Sequence, residues 1–253
     1  MSSPRLPAGY RFAEFDELDS TNEEARRRAA AGDTGPLWIL AHTQSAGRGR
    51  RGRDWVSPRG NLMTTLLIAP GTDAPMAAQL SFVTALAVRD TLCTWLPDDD
   101  VRLKWPNDTL LKGRKVSGIL LETASAGQGG VLPWLAIGIG INLVHAPELT
   151  SYPATCVNEH VSAPDALEAL SVLARAWDAR LKAWQSEGFG RIRSDWLAAA
   201  AGVGRAVEVR LSGETLGGVF STLADDGSLV LALLDGQNRM ISAGEVFFPD
   251  AMR

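Results

Sequence analysis

Residues 44–55 read Gln-Ser-Ala-Gly-Arg-Gly-Arg-Arg-Gly-Arg-Asp-Trp, four arginines interleaved with three glycines. The segment offers no large apolar side chain before Trp55, so any fold of this chain must carry it as a loop between buried elements. Glycine lets backbone N–H groups approach a ligand closely and tolerates positive φ. Arginine presents a permanently charged fork suited to phosphate and carboxylate oxygens. Alone, such a segment is expected to be mobile and to order around an anion. A nucleotide, a nucleic acid and an acidic protein all satisfy that description.

The background composition narrows the choice. With 253 residues, 45% of them hydrophobic, the chain can bury one large core and a smaller one. A net charge of −4 argues against general affinity for nucleic acid or membrane surfaces, so the arginine cluster is a local site. Cys93 and Cys156 are far apart and suggest neither a disulfide framework nor a zinc site, which favours a reducing compartment. The N-terminus has no apolar signal region. The longest largely apolar run, 131–144, contains Pro133 and is too short to span a bilayer. A soluble cytoplasmic protein without a membrane partner is expected. His42, His145 and His160 share no spacing, so no protein-held metal is expected either.

Periodicity predicts a strand over 11–17, then a helix ending at Gly32, opened by overlapping capping boxes of Ser20 with Glu23 and Thr21 with Glu24. Strands follow over 37–43 and 61–69, then one long helix over 76–96. Strands over 101–105, 116–123 and 131–143 come next, the last two joined by a small-residue turn over 124–130. Two helices are expected over 164–186 and 189–200. Beyond Gly204 the texture changes to short strands, 205–211, 215–223, 228–234 and 239–242, separated by Ser-Gly-Glu, Asp-Asp-Gly and Asp-Gly-Gln turns. The fold class read from this is α+β, a mixed or antiparallel sheet with helices packed on it, followed by a small β-barrel. The domain division is 1–202 and 203–253.

Four further segments accompany the arginine loop. Ser20-Thr21-Asn22 reads as a helix cap and also as a donor-rich anion site. Lys104-Trp105-Pro106-Asn107-Asp108 leads a strand into turn residues. Lys115-Val116-Ser117-Gly118 opens a strand, where the lysine is either solvated or functional and Gly118 marks close approach of a ligand or backbone. In Gly138-Ile139-Gly140-Ile141-Asn142, period two puts both isoleucines on a core face and the glycines with Asn142 on the other. That bare face suits a flat ligand or another element packed tightly against it.

Together, and in this order, these motifs resemble the biotin protein ligases. The resemblance runs by motif from about residue 12 to Asn142, and more loosely to the C-terminus, where the barrel and Gly244-Glu245-Val246 look like that family's C-terminal domain. It implies a catalytic domain like that of the class II synthetases and an SH3-like barrel. The implied reaction is ATP-dependent: biotin is activated as biotinyl-5′-AMP with release of pyrophosphate, then passed to a lysine of a biotin carboxyl carrier protein. ATP with Mg²⁺ carried on its phosphates is the implied cofactor. The strand at residue 12 leaves no room for an N-terminal helix-turn-helix, so no DNA partner is expected, and an exposed sheet edge could make a homodimer.

The resemblance also distributes roles. Lys115, Arg50 and Asp108 are the implied catalytic residues. Biotin would meet Ser20, Thr21, Asn22, Gln44, Gly47, Arg48, Gly49, Arg50, Lys115, Gly118, Leu120 and Gly138. ATP or the adenylate would meet Arg48, Arg50, Arg51, Arg53, Trp55, Lys104, Asn107, Lys115 and Asn142. Asp108 has two candidate roles, orienting cationic side chains or accepting a proton from the carrier amine, and the reading leans to the second. One tension stands: in a regular strand Lys115 and Gly118 face opposite ways, and only a bulge would reconcile them. The rival readings are a lipoate ligase or transferase of similar fold and, more remotely, a nucleic-acid-binding module gripping phosphates through the Gly-Arg segment.

Overall fold

The computed structural model describes residues 3–125, 130–148 and 152–248. Within them a seven-stranded sheet is built from β1 (Arg11–Leu18), β2 (Leu37–Gln44), β3 (Leu62–Ile68), β4 (Val101–Lys104), β5 (Asp108–Leu111), β6 (Arg114–Thr123) and β7 (Leu135–Ile141). Its order is β1-β2-β3-β7-β6-β5-β4, with only the β1–β2 pair parallel. The consecutive antiparallel strands of the second half are as the sequence predicts. Part of the expected 124–130 turn lies outside the described residues.

Side-chain alternation divides the sheet's two faces. Trp38 and Leu40 of β2, Leu62 and Leu66 of β3, and Ile137, Ile139 and Ile141 of β7 join one large core with α3 (Leu80–Leu92), α4 (Ala166–Glu187) and α5 (Phe189–Ala199). On the opposite face α1 (Thr21–Ala30) covers only one end, with Ala25 against Leu37, Ile39, Leu67 and Ala136. The rest of that face, floored by Gly138 and Gly140, opens into a cleft.

Three expectations are corrected. The single helix over 76–96 is two, α2 (Ala74–Ala78) and α3, with the break at Gln79, whose side chain accepts a hydrogen bond from Trp184 Nε1 at 2.9 Å. Asp73 caps α2 by accepting from Met76 N. The last residue of the Pro-Asn-Asp segment, Asp108, already opens a strand the sequence reading missed, β5. The capping boxes are not made: Ser20 is the N-cap of α1 but gives the helix no side-chain hydrogen bond. Glu23 and Glu24 are drawn instead to Arg26, Arg27 and Arg28. A charged partner one turn away outcompetes a backbone donor.

The second sheet comprises β8 (Ala206–Arg210), β9 (Thr215–Leu223), β10 (Leu229–Ala232), β11 (Asn238–Ile241) and β12 (Glu245–Phe247), in the order β11-β10-β9-β8-β12. The sequence reading missed β12, which is three residues long. So small a unit buries little apolar area by itself. Its Val207, Val209, Phe220, Leu229 and Ile241 belong to the same buried cluster as the first sheet's core. Trp105 Nε1 crosses between them to donate to Gly227 O at 3.1 Å.

Candidate active site

The cleft holds about 680 Å³ and is walled by the glycine face, the start of α1, the arginine loop, the β4–β5 connection and β12. Its chemistry changes from one end to the other.

At the α1 end the groups are neutral and already paired with one another. Gln44 Oε1 accepts from Thr21 N at 2.8 Å and from Thr21 Oγ1 at 3.1 Å, so this glutamine satisfies a helix N–H that no cap serves. Gln44 Nε2 donates to Ser57 Oγ at 2.9 Å. Thr65 Oγ1 lies 2.6 Å from Asn22 Oδ1 and 2.8 Å from Thr21 Oγ1. Asn22 Nδ2 donates to Glu122 Oε2 at 2.7 Å. Ser20, Thr21 and Asn22 are all buried, and these hydrogen bonds hold the Thr21 and Asn22 side chains in place before any ligand arrives. The glycine face is not bare. A Cβ at Gly138 would collide with the Asn22 amide, and one at Gly140 would fall 2.5 Å from the Trp55 ring. The glycines admit side chains of this same chain, and the ligand space lies beyond those side chains.

At the other end the groups are charged. Lys104 closes β4 and Asp108 opens β5 directly across the pair. Asp108 Oδ1 stands 2.6 Å from Lys115 Nζ, and its Oδ2 stands 3.5 Å from Lys104 Nζ. Burial alone would push the Asp108 carboxyl up, but Lys115 and Lys104 together hold it below its ordinary value. Lys104 is pulled down by its own burial and pushed back by Asp108. Its ammonium lies 4.4 Å from the centre of the Tyr152 ring and 5.6 Å from that of Phe247.

Lys115 reaches this box because β6 carries a bulge. Thr109 pairs with Ser117 and Leu110 with Lys115, leaving Val116 as the extra residue. Lys115 Cε and Nζ therefore come within 3.4 Å of the space above Gly118. The tension read from regular alternation is resolved by that inserted residue.

The arginine loop is closed as a folded hairpin. Arg48 and Asp54 form a bridge, Gly49 N donates to Arg53 O at 2.7 Å, and Trp55 N donates to Gly47 O at 2.9 Å. Arg51 sits at the tip with φ 58, in the left-handed region that a non-glycine residue enters only when its surroundings hold it there. Trp55 anchors the hairpin on Gly140, with Lys115 Nζ 5.4 Å from its ring. Three of the four loop arginines are paired. Arg48 reaches Glu23 at 3.2 Å and Glu122 at 3.6 Å. Arg50 Nη1 donates to Asn107 Oδ1 at 3.1 Å. Arg53 grips Glu245 of β12 with both terminal nitrogens. Burial lowers the Arg50 guanidinium from its ordinary value, which marks it as the arginine turned into the cleft.

Of the residues expected at the site, all but one line this cleft: Ser20, Thr21, Asn22, Gln44, Arg48, Gly49, Arg50, Arg51, Arg53, Trp55, Lys104, Asn107, Asp108, Lys115, Gly118, Leu120, Gly138 and Asn142. Gly47 does not. A Cβ there would fall 2.5 Å from Trp55 O and 2.6 Å from Ser57 Oγ, so it serves the closure of the loop. Asn107 is committed to β6 through Ile119 and to Arg50, and Asn142 Nδ2 donates to Thr155 O at 3.1 Å. The sequence reading missed Tyr152, Arg210, Glu245 and Phe247 in the charged wall, and Glu122 behind Asn22. Gly244-Glu245-Val246 was the available signal for β12, but a three-residue strand carries too little pattern to assign a role.

Comparison with known proteins agrees with this geometry. Residues 15–142 match the Biotin/lipoate A/B protein ligase family, and residues 202–248 match the Biotin protein ligase C terminal domain. A biotin--[acetyl-CoA-carboxylase] ligase of Paracoccus denitrificans is 43% identical over 91% of this chain and 97% of its own length. One from Mycobacterium tuberculosis is 33% identical over 95% and 91%. The biotin protein ligase of Aquifex aeolicus, solved in complex with biotin and ATP, superposes with a TM-score of 0.78 at 26% identity, covering 94% of this chain and 97% of that one. With its arginine hairpin, lysine–aspartate box and terminal five-stranded sheet, the chain belongs to the biotin protein ligase family.

Proposed function

We propose that this chain is an ATP-dependent ligase that couples biotin to a lysine of a carboxyl carrier protein. In the first step the biotin carboxylate attacks the α-phosphorus of ATP, the bond to the β-phosphate oxygen breaks, and pyrophosphate leaves. In the second, a carrier amine attacks the acyl carbon, an amide forms, AMP departs and the amine loses a proton. The observation that carries this reading is the polarity of the cleft: a prepaired neutral end opposite a cationic end, as needed to hold an uncharged head group and gather two anions.

Ser20, Thr21, Asn22 and Gln44 would face the ureido edge of biotin, with Gly118, Leu120 and Gly138 as the floor and walls. Lys115 and Arg50 would meet the carboxylate and α-phosphate oxygens, with Arg48, Arg51, Arg53, Trp55, Asn107 and Asn142 toward the nucleotide. Asp108 is better read as an orienting counter-ion than as the base for the carrier amine. Its carboxyl is held below the ordinary range between two ammonium groups, which makes it a weak proton acceptor. No group of three or more His, Cys, Asp or Glu side chains is placed to hold a metal among the described residues. A divalent cation would arrive on the phosphates and help neutralise them.

No helix among the described residues is long and apolar enough to cross a membrane. The test is to incubate the chain with ATP and a carrier domain, offer biotin or lipoate, and follow pyrophosphate release and carrier mass. Biotin-dependent pyrophosphate with a biotinylated carrier is expected. Pyrophosphate release with lipoate but not with biotin would replace this reading with the lipoate one.

A further inference from the structure

We propose that Lys104 is a positioning residue that serves as the standing counter-ion of Asp108, so that Lys115 can leave that carboxylate for the substrate's oxygens. The inference rests on the function proposed above. It starts from an asymmetry between two lysines that share one aspartate. Each takes a different oxygen, Lys115 at 2.6 Å from Oδ1 and Lys104 at 3.5 Å from Oδ2. The Lys104 side chain is 1% exposed, and its ammonium is covered by the Tyr152 and Phe247 rings. The Lys115 side chain is 26% exposed at the bulge of β6, beside the cleft. One lysine is enclosed and the other borders the cleft.

The carboxylate decides why both are needed. Asp108 is 7% exposed, so a state in which Lys115 departs and nothing replaces it would strand a buried charge. The other charged groups near the box do not fill that place. Arg53 is held by Glu245, and Arg50 by Asn107. Glu245 on β12 is itself negative, and the Tyr152 phenol stays neutral, its pKa pushed up to about 12 by burial and by Asp108. The sequence fixes Lys104 for this duty. It lies opposite Asp108 across the β4–β5 pair, and the next residue, Trp105, is buried and tied to Gly227 O. With Lys104 in place, Lys115 can exchange one anion for another while Asp108 keeps a partner. In this reading Lys104 does not touch the nucleotide.

The experiment compares Lys104→Met in two backgrounds, the unmodified chain and Asp108→Asn, by the rate of biotin- and ATP-dependent pyrophosphate release at saturation and by the KM for biotin. In the unmodified background Lys104→Met should lower kcat about tenfold or more, with the KM within about twofold, because the stranded charge appears only once Lys115 moves. In the Asp108→Asn background there is no carboxylate to strand, so Lys104→Met should change kcat by less than about twofold. Asp108→Asn also provides a parent in which loss of Lys104 leaves no unpaired buried anion, should the single variant fold poorly. Equal losses in both backgrounds, or an unaffected kcat in the first, would overturn the inference. An unmodified chain that releases no pyrophosphate with biotin overturns the functional reading and this inference with it, whereas an active parent with an unaffected Lys104→Met overturns the inference alone.

Discussion

The two ends of the cleft are built on opposite plans. At the α1 end, Thr21, Asn22, Gln44 and Thr65 are buried or half-buried and hydrogen-bonded to each other, so their donors and acceptors are aimed by the surrounding structure. At the β4–β5 end, Arg50 is held by Asn107, Arg53 by Glu245 and Lys115 by Asp108, while Arg48 pairs with Glu23 and Glu122 at the α1 end. The first plan suits recognition of a shape, since unpaired polar groups would be costly there. The second suits chemistry in which negative charge accumulates, since partners can be exchanged for substrate oxygens without leaving a bare cation beforehand. The lesson is that one cleft largely separates recognition from charge handling, the two plans meeting where Arg48 pairs with Glu23 and with the Glu122 that holds Asn22.

Substitutions should fall into two kinetic classes if that contrast holds. The largest effect is expected at Lys115. Lys115→Met should reduce adenylate formation by about 10²–10³-fold, as for loss of a charge that holds both reacting anions and gains most as negative charge gathers, measured by single-turnover pyrophosphate release. Next comes Gly138→Ala, whose methyl would displace the Asn22 amide from Thr65 and Glu122. It should weaken biotin binding by about 1–3 kcal/mol in calorimetry and leave ATP binding unaltered. Equal loss for both ligands would erase the distinction between the ends. Glu245→Gln should act more mildly. The Arg53 side chain is half exposed, so about 1 kcal/mol or less is at stake, read as faster amide exchange in residues 48–54 with a several-fold fall in kcat. The smallest effect is expected at Arg59, whose pair with Asp16 is solvent-exposed and outside the cleft. Arg59→Ala should leave both steady-state constants within error.

Much of this was legible in the sequence because it is local. Period two alone put Ile139 and Ile141 in the core and Gly138 and Gly140 on the cleft face, and most of the cleft-lining residues sit in five short motifs. What escaped is relational. The bulge at Val116 exists only in the pairing of β6 with β5, so no pattern within β6 announces it. The helix break at Gln79 falls where the sequence has neither proline nor glycine, and Gln79 is tied there to Trp184, 105 residues away. The capping boxes failed because arginines one turn on captured both glutamates. The Arg53–Glu245 clamp joins positions 192 residues apart, beyond the reach of spacing arguments.

A structure with bound biotin and an ATP analogue that cannot transfer its α-phosphate would examine the exchange of partners itself. The expectation is that the Lys115 ammonium moves to within about 3 Å of the carboxylate or α-phosphate oxygens. Lys104 should stay against Asp108, and the Asn22–Thr65–Thr21 network should be unchanged. Lys115 still seated on Asp108 in that complex, with the α1-end network rearranged around the ligand, would contradict the account.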